Sequence, residues 1–220
     1  MTSAVLAFER VKARGWEPKT IVDAGAYAGG WSERTEKIFP DAEYVLIEPI
    51  PTLDLLRLCS KKMWTSVECA LASETGTSNF NAHGMQGSLL PDANGNAWGT
   101  PTMIQTARLD DVLLSIDAKP PILLKLDVQG SELEALKSSP ATLQSVDVIQ
   151  CEVSFIQYAP GVPNAAEIIA HLSSAGFILT DWFDMTERAQ DGQPLQCDII
   201  MMRPHLISHS WSLTGDVPWA

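Results

Sequence analysis

The stretch from Thr20 to Glu48 restricts the fold of this chain more than any other part of the sequence. It begins with the short β-branched run Thr20–Asp23, which ends at glycines, and it closes with the apolar run Tyr44–Glu48, which ends at prolines. Residues 30–39, between the two runs, suit a crossover helix. A strand, a glycine loop, a helix and a second strand in this order predict a βαβ unit with two parallel strands.

The alternation of helices and strands continues through the rest of the chain. We predict further helices over residues 3–14, 52–62, 110–115, 131–137 and 165–175, and further strands over residues 65–71, 122–127, 146–152, 177–182 and 196–202. Residues 73–105 are rich in Gly, Asn, Ser and Thr and show the least secondary-structure signal. We interpret them as a functional insertion or lid. The length of 220 residues suits one α/β domain over residues 1–220.

The charge of the chain excludes some classes of partner. Its formal net charge is -12, and it contains no run of lysines and arginines. Nucleic acids and anionic membrane surfaces attract basic proteins, so we expect neither as a partner. The sequence also lacks the roughly 20 consecutive apolar residues of a membrane span, as well as a recognisable signal peptide, and we expect a cytoplasmic protein. The 4 cysteines are scattered without metal-type spacing and are expected to be buried free thiols.

The loop from Asp23 to Ser32 is the first candidate binding element. Gly25 and Gly29 let the backbone turn tightly and approach a ligand, and the helix that follows offers free N–H groups. A purely structural strand-to-helix turn, with glycines for packing, is the alternative for the loop alone. Glu48, at the end of the next strand, favours the binding interpretation of the loop, because an acid at that position accepts hydrogen bonds from the hydroxyls of a ribose. Together the loop and the acid indicate an adenosine-containing ligand.

S-adenosylmethionine suits this site better than NAD. A dinucleotide site requires Gly-x-Gly-x-x-Gly, and Tyr27 occupies the place of the second glycine. The carboxylate of Asp23 would repel a pyrophosphate, whereas it can help to hold the ammonium group of a methionine moiety.

Two further strand ends carry candidate catalytic residues. Lys125 and Asp127 share one face of their strand, and Glu152 closes the apolar strand that begins at Val146. An ion pair, a helix cap and a surface acid are the structural alternatives for these three. For the deprotonation of an alcohol we choose Asp127 as the general base and Glu152 as its partner. Convergence with Glu132 would instead suit a divalent cation such as Mg²⁺, which we do not predict.

Three of the histidines are weaker candidates for a site. His83, in the long loop, is a rival base. His205 and His209 lack a third ligand in the sequence, so we predict no zinc site there.

Several segments of the chain resemble the FkbM family of S-adenosylmethionine-dependent methyltransferases. The segments are the loop from Asp23 to Ser32, Glu48–Pro49, residues 70–76, residues 106–113, residues 124–137, Gly176–Phe177 and residues 192–198. The most specific is Lys-Leu-Asp-Val-Gln-Gly-Ser-Glu at residues 125–132, because the other elements recur across methyltransferases of this fold. The resemblance covers residues 10–203, which we take as the core, and leaves residues 204–220 as a tail.

The resemblance implies a fold, an activity and a set of contacts. The fold is the Rossmann-like class I methyltransferase fold, α/β, with a seven-stranded, mostly parallel sheet and helices on both faces. The activity is O-methylation of a sugar, a glycan or a secondary metabolite. The implied cofactor-binding residues are Asp23, Gly25, Ala26, Gly29, Ser32, Glu48, Pro49, Ala70, Leu71 and Asp127.

Other functions stay open at this point. A non-catalytic protein that binds S-adenosylmethionine or a nucleotide is one alternative, and an NAD-dependent Rossmann enzyme is a weaker one. The tail, with Trp211 and Trp219, is a candidate oligomer contact or lid.

Overall fold

The computed structural model describes residues 3–97 and 99–207. The helices are α1 (Ala4–Ala13), α2 (Gly30–Glu36), α3 (Leu53–Lys62), α4 (Leu109–Ser115), α5 (Glu132–Lys137), α6 (Pro140–Ser145) and α7 (Ala165–Ser174). The strands are β1 (Thr20–Ala24), β2 (Glu43–Ile47), β3 (Thr65–Val67), β4 (Ala70–Leu71), β5 (Gly76–Ala82), β6 (Thr100–Ala107), β7 (Ile122–Leu126), β8 (Val146–Ser154), β9 (Ile178–Glu187) and β10 (Pro194–Met202).

Seven strands form the main sheet, in the order β3-β2-β1-β7-β8-β10-β9. Strands β3, β2, β1, β7 and β8 are parallel, and β10 runs antiparallel to both β8 and β9. The order of connection reverses at β1, which pairs with β2 on one side and β7 on the other. Open α/β sheets bind ligands at such a point, beyond the carboxyl ends of the strands. The predicted seven-stranded, mostly parallel sheet is confirmed.

Helices cover both faces of the main sheet, as predicted. Helices α4 to α7 pack against the face that carries Val22 and Leu124. Residues of α1 and α3, with the segment after α2, pack against the opposite face, which carries Ile21 and Leu123. Burial on both faces explains why the central strands read as continuous apolar runs in the sequence.

The single strand predicted over residues 65–71 is wrong. The main-sheet strand β3 ends at Val67, and after Glu68 and Cys69 the chain enters a second sheet as β4. Apolar and β-branched residues indicate an extended backbone, but they do not specify the strand with which it pairs.

The low secondary-structure content predicted for residues 73–105 is also wrong in part. Strands β5 and β6 pair antiparallel and form a three-stranded sheet with β4. Phe80 and Ile104 supply the buried apolar side chains of this hairpin and pack on Ala70. Most other positions of β5 and β6 are polar, so the apolar periodicity was too weak to predict them. The role of this segment as a lid stays a prediction.

Three smaller features complete the fold. Helix α6 was not predicted, and it begins with Pro140 in its first turn, where proline is tolerated. The 4 cysteines are buried free thiols, as expected. Within residues 3–97 and 99–207, no helix is long and apolar enough to span a membrane. Residues 208–220, with His209, Trp211 and Trp219, lie outside the described part of the chain.

Candidate active site

A cavity of about 770 Å³ lies beyond the carboxyl ends of β1, β2, β7 and β8. Its volume is within the range of small-molecule sites, about 300–1,000 Å³. Seven of the residues predicted to bind the cofactor line it: Gly25, Ala26, Glu48, Pro49, Ala70, Leu71 and Asp127. The predicted catalytic partner Glu152 lines it as well. Most of the residues predicted to bind the cofactor therefore lie at one cavity, whereas Asp23, Gly29 and Ser32 do not line it.

The two glycines of the loop are needed for contacts within the protein. Gly25 has a φ of +79°, and a Cβ there would lie 1.8 Å from the carbonyl oxygen of Asp127. Gly29 has a φ of +82°, and a Cβ there would lie 2.5 Å from Cδ2 of Leu58 in α3. Gly25 thus lets the ends of β1 and β7 approach each other, and Gly29 lets the start of α2 pack on α3. The predicted tight turn is thus present at both glycines, and Gly25 also lines the cavity, whereas Gly29 does not.

Asp23 and Ser32 lie behind the loop and do not line the cavity. Both side chains are fully buried, and Oδ2 of Asp23 accepts a 2.8 Å hydrogen bond from the Ser32 hydroxyl. The other oxygen, Oδ1, lies 3.1 Å from Nζ of Lys125, which stands opposite Asp23 in the sheet. Both oxygens of Asp23 therefore have partners inside the protein. This arrangement corrects the expected contact between Asp23 and a ligand ammonium, since the carboxylate holds Lys125 and the start of α2 instead.

Lys125 connects the buried Asp23 to the cavity. It forms ion pairs with Asp23 at 3.1 Å and with Asp127 at 3.4 Å, and its Nζ lies 5.9 Å from the centre of the Trp31 ring. Burial alone lowers the pKa of Lys125, but the two carboxylates outweigh this effect and raise the pKa above its ordinary value. Lys125 therefore remains charged in the folded protein.

Glu48 is held at the end of β2 by the glycine loop. Its Oε2 accepts a 2.9 Å hydrogen bond from the backbone N–H of Tyr27, whose φ is 47°, and its Oε1 accepts one of 3.3 Å from Ile50. Burial raises the pKa of the Glu48 carboxyl above its ordinary value. The side chain lines the cavity at the place predicted for a ribose-binding acid.

Asp127 and Glu152 face the same cavity and are joined by one amide group. Nε2 of Gln129 donates to Oδ1 of Asp127 at 2.8 Å and to Oε2 of Glu152 at 3.4 Å. Nε2 of Gln196, in β10, donates to Oε1 of Glu152 at 2.6 Å. The two amides fix the orientation of the carboxyl pair. Neither glutamine was singled out in the sequence, because an amide in a strand or loop carries no pattern of its own.

A further acid, Asp198, lines the cavity. It lies opposite Glu152 in the register between β10 and β8. It was missed as a site residue, although a polar residue before the apolar run at residues 199–202 is a detectable signal. Burial, reinforced by the charge of Asp127, raises the pKa of Glu152 to about 8. Burial also raises the pKa of Asp198 to about 6; a hydrogen bond from Gln150 opposes this rise, and the charge of Asp127 adds to it. Glu152 therefore gives up its proton at a higher pH than an ordinary glutamate does.

Glu132 belongs to a different part of the site. Its buried carboxylate accepts hydrogen bonds from the backbone N–H groups of Val128 at 2.9 Å and Gly130 at 3.0 Å, and burial raises its pKa to about 7. Glu132 thus shapes the loop after β7 and does not line the cavity. Among the described residues, no group of three His, Cys, Asp or Glu side chains is placed to hold a metal ion.

His83 and His205 lie outside the cavity lining. His83 comes directly before a 3₁₀ helix at Gly84–Gln86, whose three residues do line it. Nε2 of His205 lies 3.6 Å from Oδ2 of Asp147, away from the site.

The buried carboxyl groups make the stability of the ligand-free protein depend on pH. We expect the free energy of unfolding to fall as the pH rises from about 5 to about 8, because Glu132, Glu152 and Asp198 keep protons in the folded state that the unfolded chain has already released. Urea unfolding across this range measures the effect. Glu152→Gln should make the dependence shallower. A free energy of unfolding that rises with pH would contradict the assigned burial.

Comparison with known proteins gives the following matches. A model of the FkbM methyltransferase domain matches residues 23–179. The crystal structure of methyltransferase FkbM from Methylobacillus flagellatus KT is similar at 15% identity and a TM-score of 0.52, over 82% of this chain and 43% of that one. The present chain thus spans less than half the length of that structure. At this identity the likeness shows the fold alone. No curated protein matches the sequence.

Two further crystal structures are similar at lower TM-scores. One is precorrin-6y C5,15-methyltransferase from Geobacter metallireducens GS-15, at 12% identity and a TM-score of 0.49, over 92% of this chain and 89% of that one. The other is magnesium protoporphyrin IX methyltransferase from Synechocystis PCC 6803 with bound S-adenosylmethionine, at 12% identity and a TM-score of 0.48, over 90% and 76%.

Proposed function

Because the chain belongs to the FkbM methyltransferase family, we propose that it transfers the methyl group of S-adenosylmethionine to a hydroxyl group of a sugar, a glycan or a secondary metabolite. One observation supports oxygen as the atom that accepts the methyl group. Asp127 and Glu152, joined through Gln129, face the same cavity as Glu48. A nucleotide-binding acid and a pair of carboxyl groups thus share one space, which suits a reaction that must remove a proton from an alcohol.

The residues of the cavity fit S-adenosylmethionine. Glu48 offers carboxylate oxygens to a ribose at the end of β2, and Ile47, Ala70 and Leu71 form an apolar wall beside it that suits an adenine ring. The carboxylates that line the cavity also favour a cofactor with a positively charged sulfur. Gly25 to Ala28, with the start of α2 behind them, line the side on which the methionine portion would lie.

The residues of this chain contribute position and proton transfer. When bound, S-adenosylmethionine supplies a methyl carbon activated by its sulfonium, and S-adenosylhomocysteine is the product after the C–S bond breaks and the C–O bond forms. Asp127 accepts the proton that the hydroxyl loses, while Lys125 and Gln129 hold its two oxygens in place. Glu152 completes the hydrogen-bonded pair and acts through Gln129.

The Glu48 assignment is tested by cofactor affinity. Glu48→Ala should weaken the binding of S-adenosylhomocysteine by about 1 to 3 kcal/mol, because charge-assisted hydrogen bonds are lost and because the loop at Tyr27 loses its anchor. Isothermal titration calorimetry measures this change. The matched control is Glu43→Ala, an exposed residue at the start of β2, which should bind as the wild type does. Equal affinities of the two variants would refute the ribose contact.

A non-catalytic cofactor-binding protein is the remaining alternative. It would bind S-adenosylhomocysteine with the same dependence on Glu48 and would methylate no acceptor in a panel of glycans and hydroxylated metabolites. The presence of Asp127 and Glu152 at the cavity favours the enzyme.

A further inference from the structure

A second, smaller cavity adjoins the first one. It has a volume of about 370 Å³ and lies between the segment at residues 86–93, the loop at residues 156–159 and the start of β10. Half of its twelve lining residues have apolar side chains, namely Leu90, Pro91, Ala93, Ile156, Ala159 and Leu195. An apolar cavity of this size beside a reaction site suits a compact hydrocarbon group of a ligand.

The two cavities meet at three glutamines, two of which hydrogen-bond to the carboxyl pair. Gln86, Gln129 and Gln196 line both of them. The amides of Gln129 and Gln196 are the groups that hydrogen-bond to Glu152, and Gln129 also binds Asp127. A molecule in the smaller cavity would therefore have its polar end next to the proposed base.

The wall of the smaller cavity is held firmly against the rest of the domain. A Cβ at Gly130 would lie 2.8 Å from Cδ1 of Leu90, and one at Gly161 would lie 3.3 Å from Cδ2 of Leu90, so both glycines make room for this side chain. The hydroxyl of Ser88 donates a 2.6 Å hydrogen bond to the carbonyl of Gln129. These contacts fix the segment that carries Leu90 to the loop after β7. One wall of the cavity is thus fixed by contacts within the folded chain.

The polar groups of this cavity also select by charge. Tyr158 lines it, and burial, together with the charge of Glu132, raises the pKa of its phenol, so that the hydroxyl stays a hydrogen-bond donor. Asp92 is the charged residue among the described lining residues, and no Lys or Arg is found among them. Because its lining residues include the carboxylate of Asp92 and no cation, the cavity disfavours a negatively charged molecule.

We propose that the smaller cavity binds the acceptor, and that the acceptor is an uncharged or cationic hydroxy compound with a compact apolar group next to the hydroxyl that is methylated. The apolar group lies among Leu90, Ile156 and Leu195, Tyr158 donates a hydrogen bond to a polar atom of the acceptor, and the reacting hydroxyl reaches Asp127. This inference rests on the proposed methyl transfer. It narrows the acceptor from sugars and glycans at large to molecules that combine a hydroxyl with hydrocarbon.

Fluorescence titration with 2-naphthol, in the presence of saturating S-adenosylhomocysteine, tests the proposal. The fluorescent probe 2-naphthol is uncharged and carries a hydroxyl on an apolar ring, and 2-naphthoate is its matched anion. We expect 2-naphthol to bind at least about tenfold more tightly than 2-naphthoate, because an unpaired carboxylate is costly to bury.

Variants of the cavity wall locate the binding. Leu195→Glu should weaken 2-naphthol binding at least about tenfold by placing a charge in the cavity, and Ile156→Trp should weaken it similarly by filling the cavity without a charge. Leu114→Glu, at a residue 81% exposed on α4, is the matched control and should bind as the wild type does. S-adenosylhomocysteine affinity, measured on each variant, should be unchanged and shows that the fold is intact.

The outcomes separate the two proposals. If the wild type binds S-adenosylhomocysteine but not 2-naphthol, or if Leu195→Glu and Ile156→Trp both bind 2-naphthol normally, the acceptor assignment is overturned and the proposed methyl transfer is untouched. Equal binding of 2-naphthol and 2-naphthoate would overturn the charge selection. Failure of the wild type to bind S-adenosylhomocysteine would contradict the proposed function itself.

Discussion

Asp127→Asn is expected to lower the rate of methyl transfer by about 10²- to 10⁴-fold, the usual contribution of a general base. Asparagine keeps the shape of the side chain and one acceptor oxygen for Gln129, but it cannot take the proton of the acceptor hydroxyl. It also removes one of the two carboxylates beside Lys125, while Asp23 remains. The fold and the affinity for S-adenosylhomocysteine should therefore change little.

The rate is measured with radiolabelled S-adenosylmethionine, once an acceptor has been found with the panel described above. Asp54→Asn is the matched control, because Asp54 lies on the exposed surface of α3 and pairs with Arg57. It should retain the wild-type rate. If Asp127→Asn also does so, Asp127 is not the base. Glu152→Gln then becomes the variant to examine, because Glu152 is the other carboxyl group of the pair.

Lys125→Met is expected to have the largest effect on stability. It leaves the carboxylate of Asp23, which is fully buried, without its charged partner, and the removal of one member of a buried ion pair costs about 3–5 kcal/mol of the free energy of unfolding. The loss is measured by urea unfolding at neutral pH. The ligand-free protein should be used, because bound cofactor would stabilise the folded state and mask part of the change.

Two further variants separate this effect from the loss of a lysine as such. Lys137→Met removes an exposed pair with Glu134, at 3.9 Å, and should cost at most about 1 kcal/mol. The double variant Asp23→Leu and Lys125→Met removes both charges and should recover part of the loss. If Lys125→Met and Lys137→Met lower the free energy of unfolding by similar amounts, the buried ion pair does not stabilise the fold as expected.

Much of the fold could be predicted from local patterns. The run Thr20–Asp23, the glycines after it and the run Tyr44–Glu48 specify two parallel strands and a helix, because each signal lies within a few residues of the element that it describes. The failures came where pairing depends on distant residues. Nothing between Thr65 and Leu71 shows that the chain changes sheets, and β5 and β6 are too polar to show an apolar period.

The candidate site likewise contains residues that could be predicted from local patterns and residues that could not. Glu48, Asp127 and Glu152 were predicted because each is an acid at the end of an apolar strand, and strand ends of a parallel sheet meet at one edge. Gln129 and Gln196 were not predicted, because an amide becomes informative only when its partners are known.

The sequence by itself determined that the chain is an α/β protein of the FkbM methyltransferase family, since short motifs at strand ends carry both conclusions. Only the tertiary structure decided which residues of the glycine loop line the cavity. Asp23, Gly29 and Ser32 turned out to support the loop from within, whereas Lys125 faces the cavity. The physical reason is that the depth of a side chain, and the charge beside it, depend on residues a hundred positions away that only folding brings into contact.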